Sequence, residues 1–482
     1  MKKIFVQIPV ILCCLSAILF YPRIGASAGY QERGVDFQQS LEGFRKAAGK
    51  VGVMLVSLPS GQVDFEYRSR DPFVPASLVK LLTSYTALKK LGPEFRFRTE
   101  IFARSEPSGG IIQGDIWIKG YGDPFLVPEK IQLLVQALKD RGIRQITGSV
   151  YADNSFFSPG AEHICLDSDC IGVYNPVVSP TAMDFNLVTL RLTVPTKAGQ
   201  TVTIDSPSGN YARVSGRAVS GSSKKGGQPL KVRSLGANGS GQEEFQVSGQ
   251  GSPKGPRLRE FRFHAADPAG LSAHTLRAAA ERAGIRIQGR ETREGAVPPG
   301  SVTIARYESP QLSELVSSMN KYSNNFMAEM LLKGLAGHLA GPPGTTQKGV
   351  ALVRAALNEA RVPTDTGMLD CGSGLSRFCL LTPEAFCRLL MAAWQDPAIG
   401  SAFLSSLAAN AEEGTLRRRM RKPGLTVRGK TGTLNDVIGF AGYVSGPSGK
   451  TYAVTVMLND VRDRSRARQA IDTFLEDVAS SQ

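Results

Sequence analysis

The chain has 482 residues, of which 42% are hydrophobic and 21% charged, so it can bury a sizeable core in two or more domains, and its composition excludes a disordered polymer. The formal net charge of +15 favours anionic partners such as a cell-wall polymer, a membrane surface or nucleic acid. The positive residues are scattered and form no basic helix with interleaved aromatic residues, which argues against nucleic acid and leaves loose association with wall or membrane.

Residues 1–28 have the pattern of a removed export signal. Two lysines precede the apolar run 4–21, and Ala26-Ser27-Ala28 supplies the small residues that a signal peptidase accepts. An uncleaved membrane anchor is the alternative, because the run is nearly long enough to span a bilayer. Either way, the pattern predicts an extracytoplasmic location, such as the periplasm.

The cysteines that follow the signal are odd in number, so at least one thiol stays unpaired within the monomer: Cys165, Cys170, Cys371, Cys379 and Cys387. A disulfide between Cys165 and Cys170 fits an oxidising compartment. Together with His163 and Asp169, the same pair offers metal ligands, but no second cluster completes a standard site. The sequence therefore predicts no metal.

The first half of the chain is predicted to be mainly β-structure. Residues 50–69 alternate as two strands around a Pro59-Ser60-Gly61-Gln62 turn. A helix is predicted from Ser77 to Leu91, ended by Gly92-Pro93. Residues 97–190 then read as short strands with one helix over 128–140.

The Gly- and Ser-rich stretch 206–256 is either a linker or a β-rich insert, and its residual alternation favours the insert. After about residue 300, the spacing of the apolar residues becomes typical of helices. Helices are predicted over 311–339, 347–361, 382–395, 401–410 and 465–478. Strands at 436–446 and 451–459, together with the hairpin near residue 55, predict one sheet assembled from both ends of the chain.

Ser77 and Lys80 stand three residues apart at the start of a predicted helix. Serine needs a base within hydrogen-bond reach to act as a nucleophile, and residues i and i+3 share a helix face. A lysine serves as that base only when burial or a nearby positive charge lowers its pKa. The same Ser-x-x-Lys pattern also starts at Ser222 and at Ser318, so by itself the pair at 77 and 80 is more typical of a solvated helix edge than of a catalytic site.

Two further stretches strengthen the catalytic interpretation. Ser323 and Asn325 lie just before or within the first turn of a helix, and Lys430-Thr431-Gly432 lies on a strand next to a turn. The glycine leaves space for a substrate backbone along that strand. The order Ser-x-x-Lys, Ser-x-Asn, Lys-Thr-Gly is the active-site signature of penicillin-recognising serine enzymes.

Other stretches extend this likeness over most of the chain: GYGDPFL (120–126), ITGSVYADNSFF (146–157), CGSGLSR (371–377), EEGTLRRRM (412–420) and GKTGTLNDVIGFAGYV (429–444). The chain resembles the exported D-alanyl-D-alanine carboxypeptidase/endopeptidase family of the DacB type, the class C low-molecular-weight penicillin-binding proteins of serine peptidase family S13. The family usually has an aspartate where this chain has Cys371, which is preceded by Asp370.

The resemblance implies an α/β (α+β) fold, with a penicillin-binding/β-lactamase-like transpeptidase domain built on an antiparallel sheet flanked by helices. A large β-rich insertion interrupts it. The expected boundaries are 29–95 and 301–482 for the two parts of that domain, and 96–300 for the insertion, with an inner subdomain at about 191–265.

The resemblance also implies roles for individual residues. Ser77 attacks the carbonyl of the penultimate D-alanine, Lys80 takes its proton, and Ser323 relays a proton to the leaving amine. The implied substrate-binding residues are Asn325, Lys430, Thr431, Gly432, Thr433, Arg377 and Asp153. Backbone N–H groups of Ser77 and Thr433 would form the oxyanion hole. A turn-capping role is the alternative for Asp153.

Peptidoglycan stem peptides are the implied substrate, β-lactams are the implied covalent inhibitors, and no cofactor is implied. A β-lactamase is one alternative, although the Glu-x-x-Leu-Asn stretch of class A enzymes does not occur. A wall-binding protein with a decayed site is another, although all three motifs keep their reactive atoms.

Overall fold

The computed structural model describes residues 35–158, 174–221, 228–238, 241–364 and 367–480. The predicted export signal 1–28 lies outside these residues, as do Cys165 and Cys170 with their disulfide and metal alternatives. Among the helices of the described ranges, none combines the length and the apolar character needed to cross a membrane.

The N-terminal part begins with the predicted hairpin. Its elements are α1 (Phe37–Ala47), β1 (Ala48–Leu58), β2 (Val63–Tyr67) and α2 (Val79–Leu91). Strands β1 and β2 pair antiparallel across the predicted turn, which confirms the hairpin. A 3-10 turn at Ala76–Leu78 leads into α2, which ends at Gly92 as the sequence predicted. Gly92 has φ 86° and ψ 150°, a positive-φ conformation that glycine adopts readily but that is not the left-handed helical cap.

The middle of the chain is mainly β-structure. Its strands are β3 (Arg98–Ala103), β4 (Ile111–Ile112), β5 (Ile116–Gly120), β6 (Gln145–Ile146), β7 (Val150–Asp153), β8 (Leu187–Thr193), β9 (Thr203–Asp205), β10 (Ala212–Ser220), β11 (Lys231–Ala237), β12 (Glu243–Gly251), β13 (Leu258–His264), β14 (Arg286–Ile287), β15 (Thr292–Glu294) and β16 (Val302–Glu308). They form a five-stranded sheet in the order β15-β7-β5-β3-β16 and three smaller sheets.

Two helices of this region, α3 (Pro128–Asp140) and α4 (Pro268–Arg282), share a buried apolar cluster with strands of the five-stranded sheet. The sequence predicted α3 but not α4. Helix α4 is capped by Asp267, whose side chain accepts from the N–H of Gly270. Most of its buried residues are small, so it lacks the stripe of large aliphatic side chains that marks an amphipathic helix.

The C-terminal part is helical and then returns to the first sheet. Its elements are α5 (Leu312–Tyr322), α6 (Asn325–Leu339), α7 (Thr346–Glu359), α8 (Pro383–Gln395), α9 (Gly400–Ser405), β17 (Ala408–Ala409), β18 (Thr426–Leu434), β19 (Val437–Ser445), β20 (Thr451–Val461) and α10 (Arg464–Ser480). The resulting six-stranded antiparallel sheet has the order β17-β18-β19-β20-β1-β2. The predicted assembly of one sheet from both chain ends is confirmed.

Two predicted helices need correction. The stretch 311–339 is not one helix, because Ser323 adopts a left-handed conformation with φ 57° and ends α5. Asn324 then caps α6 by accepting from the N–H of Met327 at 3.0 Å. The predicted helix over 401–410 ends early at Ser405, and the chain continues into β17, which pairs with β18.

Strand β1 shows how the central sheet is buried on both faces. Met54 and Val56 join the apolar cluster formed with α2, α5, α6 and α8, whereas Val53 and Leu55 join the cluster formed with α1 and α10. Strand β18 lies next to the 3-10 turn: a Cβ atom added to Gly432 would lie 2.7 Å from the carbonyl oxygen of Pro75. The fold therefore places the edge of the sheet against the start of α2.

Candidate active site

Ser77 and Lys80 meet at the start of α2. Ser77 lies in the 3-10 turn and is half-buried, while Lys80 lies in the first helical turn and is fully buried. The Nζ atom of Lys80 is 3.0 Å from the Oγ atom of Ser77. Ala76, just before the serine, has a positive φ of 49°, a strained conformation of the kind that concentrates at functional sites.

The hydrogen-bond acceptors around Lys80 determine the orientation of its amine in the neutral form. Nζ lies 2.7 Å from Oδ1 of Asn325 and 2.7 Å from the carbonyl oxygen of Ser373, two groups that only accept. A neutral amine has two N–H groups and one lone pair. When both N–H groups donate to these oxygens, the lone pair is left for the hydroxyl of Ser77.

The pKa of Lys80 is consistent with that state. Burial lowers it from 10.5 to about 7, and the negative charge of Glu329 opposes the shift. Near neutral pH a substantial fraction of the amine is therefore unprotonated and can accept a proton. The amide of Asn325 is held in place because its Nδ2 donates to the carbonyl oxygen of Tyr174 at 2.9 Å.

A second serine–lysine pair comes from other elements of the fold. Lys430 on β18 donates to Oγ of Ser323 and to the carbonyl oxygen of Thr431, both at 2.8 Å. Lys430 is fully buried, and burial together with the charge of Lys80 holds its pKa well below the ordinary value. The left-handed backbone of Ser323 turns the chain between α5 and α6 at this point.

Strand β18 carries the remaining motif residues beside this pair. Thr431 is half-buried and Thr433 is exposed, and both lie on the strand face opposite to Lys430 and Gly432. Strand β17 pairs only with Arg428 and Gly429. Among the described residues, the outer edge of β18 therefore has no strand partner from Lys430 onward, which suits an extended peptide.

The sequence analysis missed Glu329. This residue is 2% exposed and lies one turn after Asn325 on α6. Its carboxylate accepts from the N–H of Gly372, at 3.0 and 3.1 Å to its two oxygens, and from the N–H of Ser373 at 2.8 Å. Glu329 thus fixes the loop whose carbonyl oxygen contacts Lys80. The available signal was a glutamate inside the apolar stretch of α6.

Arg377 and Asp153 are placed differently from the other candidates. Arg377 lies in the same loop and forms a half-exposed ion pair with Asp436 at 2.8 Å. Asp153 ends β7 in the middle region, where it accepts from Lys119 at 2.9 Å and from the backbone N–H groups of Ser155 and Val297 at 2.8 Å each. These contacts favour the turn-capping alternative for Asp153.

An antiparallel sheet flanked by helices, with a serine–lysine pair at the start of one helix and a second such pair at the sheet edge, is the architecture of penicillin-recognising serine enzymes. The profile of the D-Ala-D-Ala carboxypeptidase 3 (S13) family matches residues 40–478, and the chain belongs to that family. The sequence-based assignment to this family, and the fold it implied, are confirmed. The chain is accordingly a serine-type D-Ala-D-Ala carboxypeptidase by family.

One curated relative agrees with this assignment, and two solved structures agree with the fold. The chain is 30% identical, over 420 residues, to D-alanyl-D-alanine carboxypeptidase of Actinomadura sp. (strain R39), an alignment that covers 83% of this chain and 76% of that protein. The crystal structure of penicillin binding protein 4 (dacB) from Haemophilus influenzae has a TM-score of 0.73 at 21% identity, over 92% of this chain and 98% of that one. Its complex with a novel β-lactam has a TM-score of 0.71, also at 21% identity, over 92% and 99%.

Proposed function

We propose that the chain cleaves peptidoglycan stem peptides through an acyl-enzyme on Ser77. The observation that carries this assignment is the arrangement around Lys80, whose two acceptor neighbours leave its lone pair for the Ser77 hydroxyl. In the first step, Lys80 takes the proton while Ser77 Oγ bonds to the carbonyl carbon of the penultimate D-alanine. Water then attacks the ester: its hydroxyl group bonds to the acyl carbon, the bond from that carbon to Ser77 Oγ breaks, and Lys80 transfers the proton of the water to Ser77 Oγ.

The second pair serves the leaving group and the substrate terminus. Ser323 lies 2.8 Å from Lys430 and relays to the departing amine the proton that Lys80 took from Ser77, so that the amine leaves as free D-alanine or as the cross-linked neighbour. Lys430 and Thr431 bind the terminal carboxylate, and Gly432 gives the peptide room along β18. The N–H groups of Ser77 and Thr433 stabilise the oxyanion, each such donor contributing roughly 2.7–4 kcal/mol.

Labelling with a fluorescent penicillin tests this proposal. The wild-type protein should bind the probe covalently, and Ser77→Ala should abolish the label. Ser60→Ala, an exposed serine in the β1–β2 turn, is the matched control and should label like the wild type. A folded wild-type protein that never labels would overturn the proposal.

Two further measurements separate the alternatives. Slow release of the penicilloyl adduct supports the peptidase, whereas rapid turnover of penicillin would identify a β-lactamase. The complex of the Haemophilus influenzae structure with a β-lactam supports the use of this probe. Mass spectrometry of products from a defined muropeptide mixture then distinguishes D-alanine release from cleavage of cross-links.

We also propose that the protein acts outside the cytoplasm, where its substrate lies. The apolar run 4–21 and the Ala26-Ser27-Ala28 stretch support export. N-terminal sequencing of the protein recovered from the extracytoplasmic fraction should give a chain that begins after Ala28. An intact N-terminus on membrane-bound protein would support the anchor instead.

A further inference from the structure

Two cysteines face each other across the loop that contacts Lys80. Met368 and Leu380 exchange backbone hydrogen bonds at 2.9 and 2.8 Å, which closes the base of the loop. Inside that closure, the Sγ atoms of Cys371 and Cys379 lie 3.5 Å apart. Both side chains are at most 1% exposed. The active-site loop, defined here as residues 371–379, is thus bounded by two thiols in contact.

The contents of this loop connect the thiols to the site. The carbonyl oxygen of Ser373 contacts Lys80 at 2.7 Å, and the N–H of Gly374 lies 3.3 Å from Sγ of Cys371. Gly374 also packs closely against the turn before Ser77, since a Cβ atom added to Gly374 would lie 1.9 Å from the carbonyl oxygen of Ala76. Displacement of the loop would therefore move groups that hold both Ser77 and Lys80.

A metal ion is a poorer explanation of the thiol pair than a covalent bond. Asp370 gives the cysteines a third ligand atom, and all three lie within 4.8 Å of one another, but no fourth His, Cys, Asp or Glu of the described residues joins them. Sγ of Cys379 donates to Oδ1 of Asp370 at 2.8 Å, so this thiol carries a proton. Zinc requires deprotonated thiolates and, in structural sites, four ligands.

We propose that Cys371 and Cys379 are oxidised to an intrachain disulfide that fastens the active-site loop beneath Lys80. The inference rests on the proposed extracytoplasmic location, where disulfides persist. A thiolate of one cysteine attacks a disulfide of a small molecule or an oxidoreductase, releases one of its sulfur atoms as a thiol and forms a mixed disulfide with the other. The thiolate of the second cysteine then attacks the sulfur of the first and displaces the partner's remaining sulfur. One disulfide bond forms as another breaks, two electrons pass to the partner, and the partner leaves as two thiols. Because both sulfur atoms are buried in the folded chain, this exchange occurs before folding is complete.

Peptide mapping of the wild-type protein tests the bond directly. Trypsin cleaves after Arg377, between the two cysteines, and yields peptides 362–377 and 378–388. Protein purified from the oxidising compartment, alkylated without reductant and digested should give these two peptides as one cross-linked mass. Reductant before alkylation should separate them.

Cysteine variants identify the partner in the second peptide, which also contains Cys387. Sγ of that residue contacts Met54 and Thr455, away from the loop. The cross-link should persist in Cys387→Ser and vanish in Cys379→Ser. Two alkylated, separate peptides from the wild type would overturn the inference, and so would two free thiols with a stoichiometric zinc ion.

The rate of acylation by penicillin tests the effect on the site. The double variant Cys371→Ser/Cys379→Ser should acylate several-fold more slowly than the wild type, whereas Cys387→Ser should not. An unchanged rate in the double variant would overturn the fastening role. A wild-type protein that labels with penicillin but lacks the cross-link would defeat this inference alone and leave the proposed function intact.

Discussion

Replacing Glu329 by glutamine tests how charge and loop position tune Lys80. Burial lowers the pKa of Lys80 to about 7, and the negative charge of Glu329 acts against that shift. The same carboxylate holds the N–H groups of Gly372 and Ser373. Glutamine keeps the shape and one acceptor oxygen but removes the charge. The variant should therefore lower the pKa of Lys80 further and loosen the loop.

The contacts set the size of the effect. Ser373 contacts both the Lys80 amine and the Glu329 carboxylate, so the two charges are roughly 6 Å apart. At an effective dielectric constant of about 20, their attraction is on the order of 3 kcal/mol, which corresponds to about 2 pKa units. Burial raises the pKa of Glu329, and the hydrogen bonds that its carboxylate accepts from Gly372 and Ser373 oppose that shift. Removing the negative charge should lower the pKa of Lys80 by at least about 1 unit. Losing one charged acceptor costs about 1.5–3 kcal/mol of stability.

The assay is the rate constant for acylation by a fluorescent penicillin, measured from about pH 5 to about pH 9. The unprotonated amine is the active form, so the rate should rise with pH through the pKa of Lys80 and reach its plateau about one unit earlier in the variant. Glu359→Gln is the matched control, because its exposed carboxylate pairs with Lys90 and not with the site. An acidic limb that stays in place in folded Glu329→Gln, or moves equally in the control, would refute the reasoning.

Three other substitutions give distinct outcomes. Gly432→Ala should lower acylation by about 10²-fold, because its Cβ would lie 2.7 Å from the carbonyl oxygen of Pro75 and displace the turn that carries the nucleophile; unaltered acylation kinetics would contradict the packing argument. Arg377→Ala should raise KM for stem peptides and leave penicillin acylation and the thermal midpoint nearly unchanged, since its exposed pair with Asp436 contributes about 0–1 kcal/mol; equal peptide KM would exclude a recognition role. Asp123→Asn should flatten the pH dependence of stability. Burial raises the pKa of Asp123 to about 7, whereas in the unfolded chain it is near 4, so the wild type loses stability on the order of 4 kcal/mol as the pH rises from about 4 to about 7. Denaturant titrations at the two pH values should show a smaller loss of stability in the variant than in the wild type. Equal losses in both proteins would contradict this.

The elements that sequence reasoning predicted are those with a local signal. The β1–β2 hairpin has alternation and a turn, and α2 has a glycine–proline end. The Ser-x-Asn stretch indicated a helix start near Ser323, but the end of the preceding helix was missed, because the left-handed backbone of Ser323 is not encoded by a glycine and the helical periodicity continues on both sides. Helix α4 was missed because its buried face is mostly small residues.

Motif order named the reactive side chains but not the groups around them. Glu329 acts on a loop 43 residues further along the chain, and a glutamate in an apolar helix has no local feature that reveals its partner. The facing position of Cys371 and Cys379 depends on the backbone pairing of Met368 with Leu380. Such contacts follow from the tertiary fold and cannot be read from residue spacing.

The state of Lys80 shows why catalysis depends on the whole fold. In an unfolded chain this lysine has a pKa near 10.5, so it is charged and cannot accept the proton of Ser77. Its two acceptors, Asn325 and Ser373, come from positions 245 and 293 residues later in the chain. Burial of the amine and alignment of its lone pair therefore arise together, only after the C-terminal helices close over α2. The same long-range closure that completes the core produces the base.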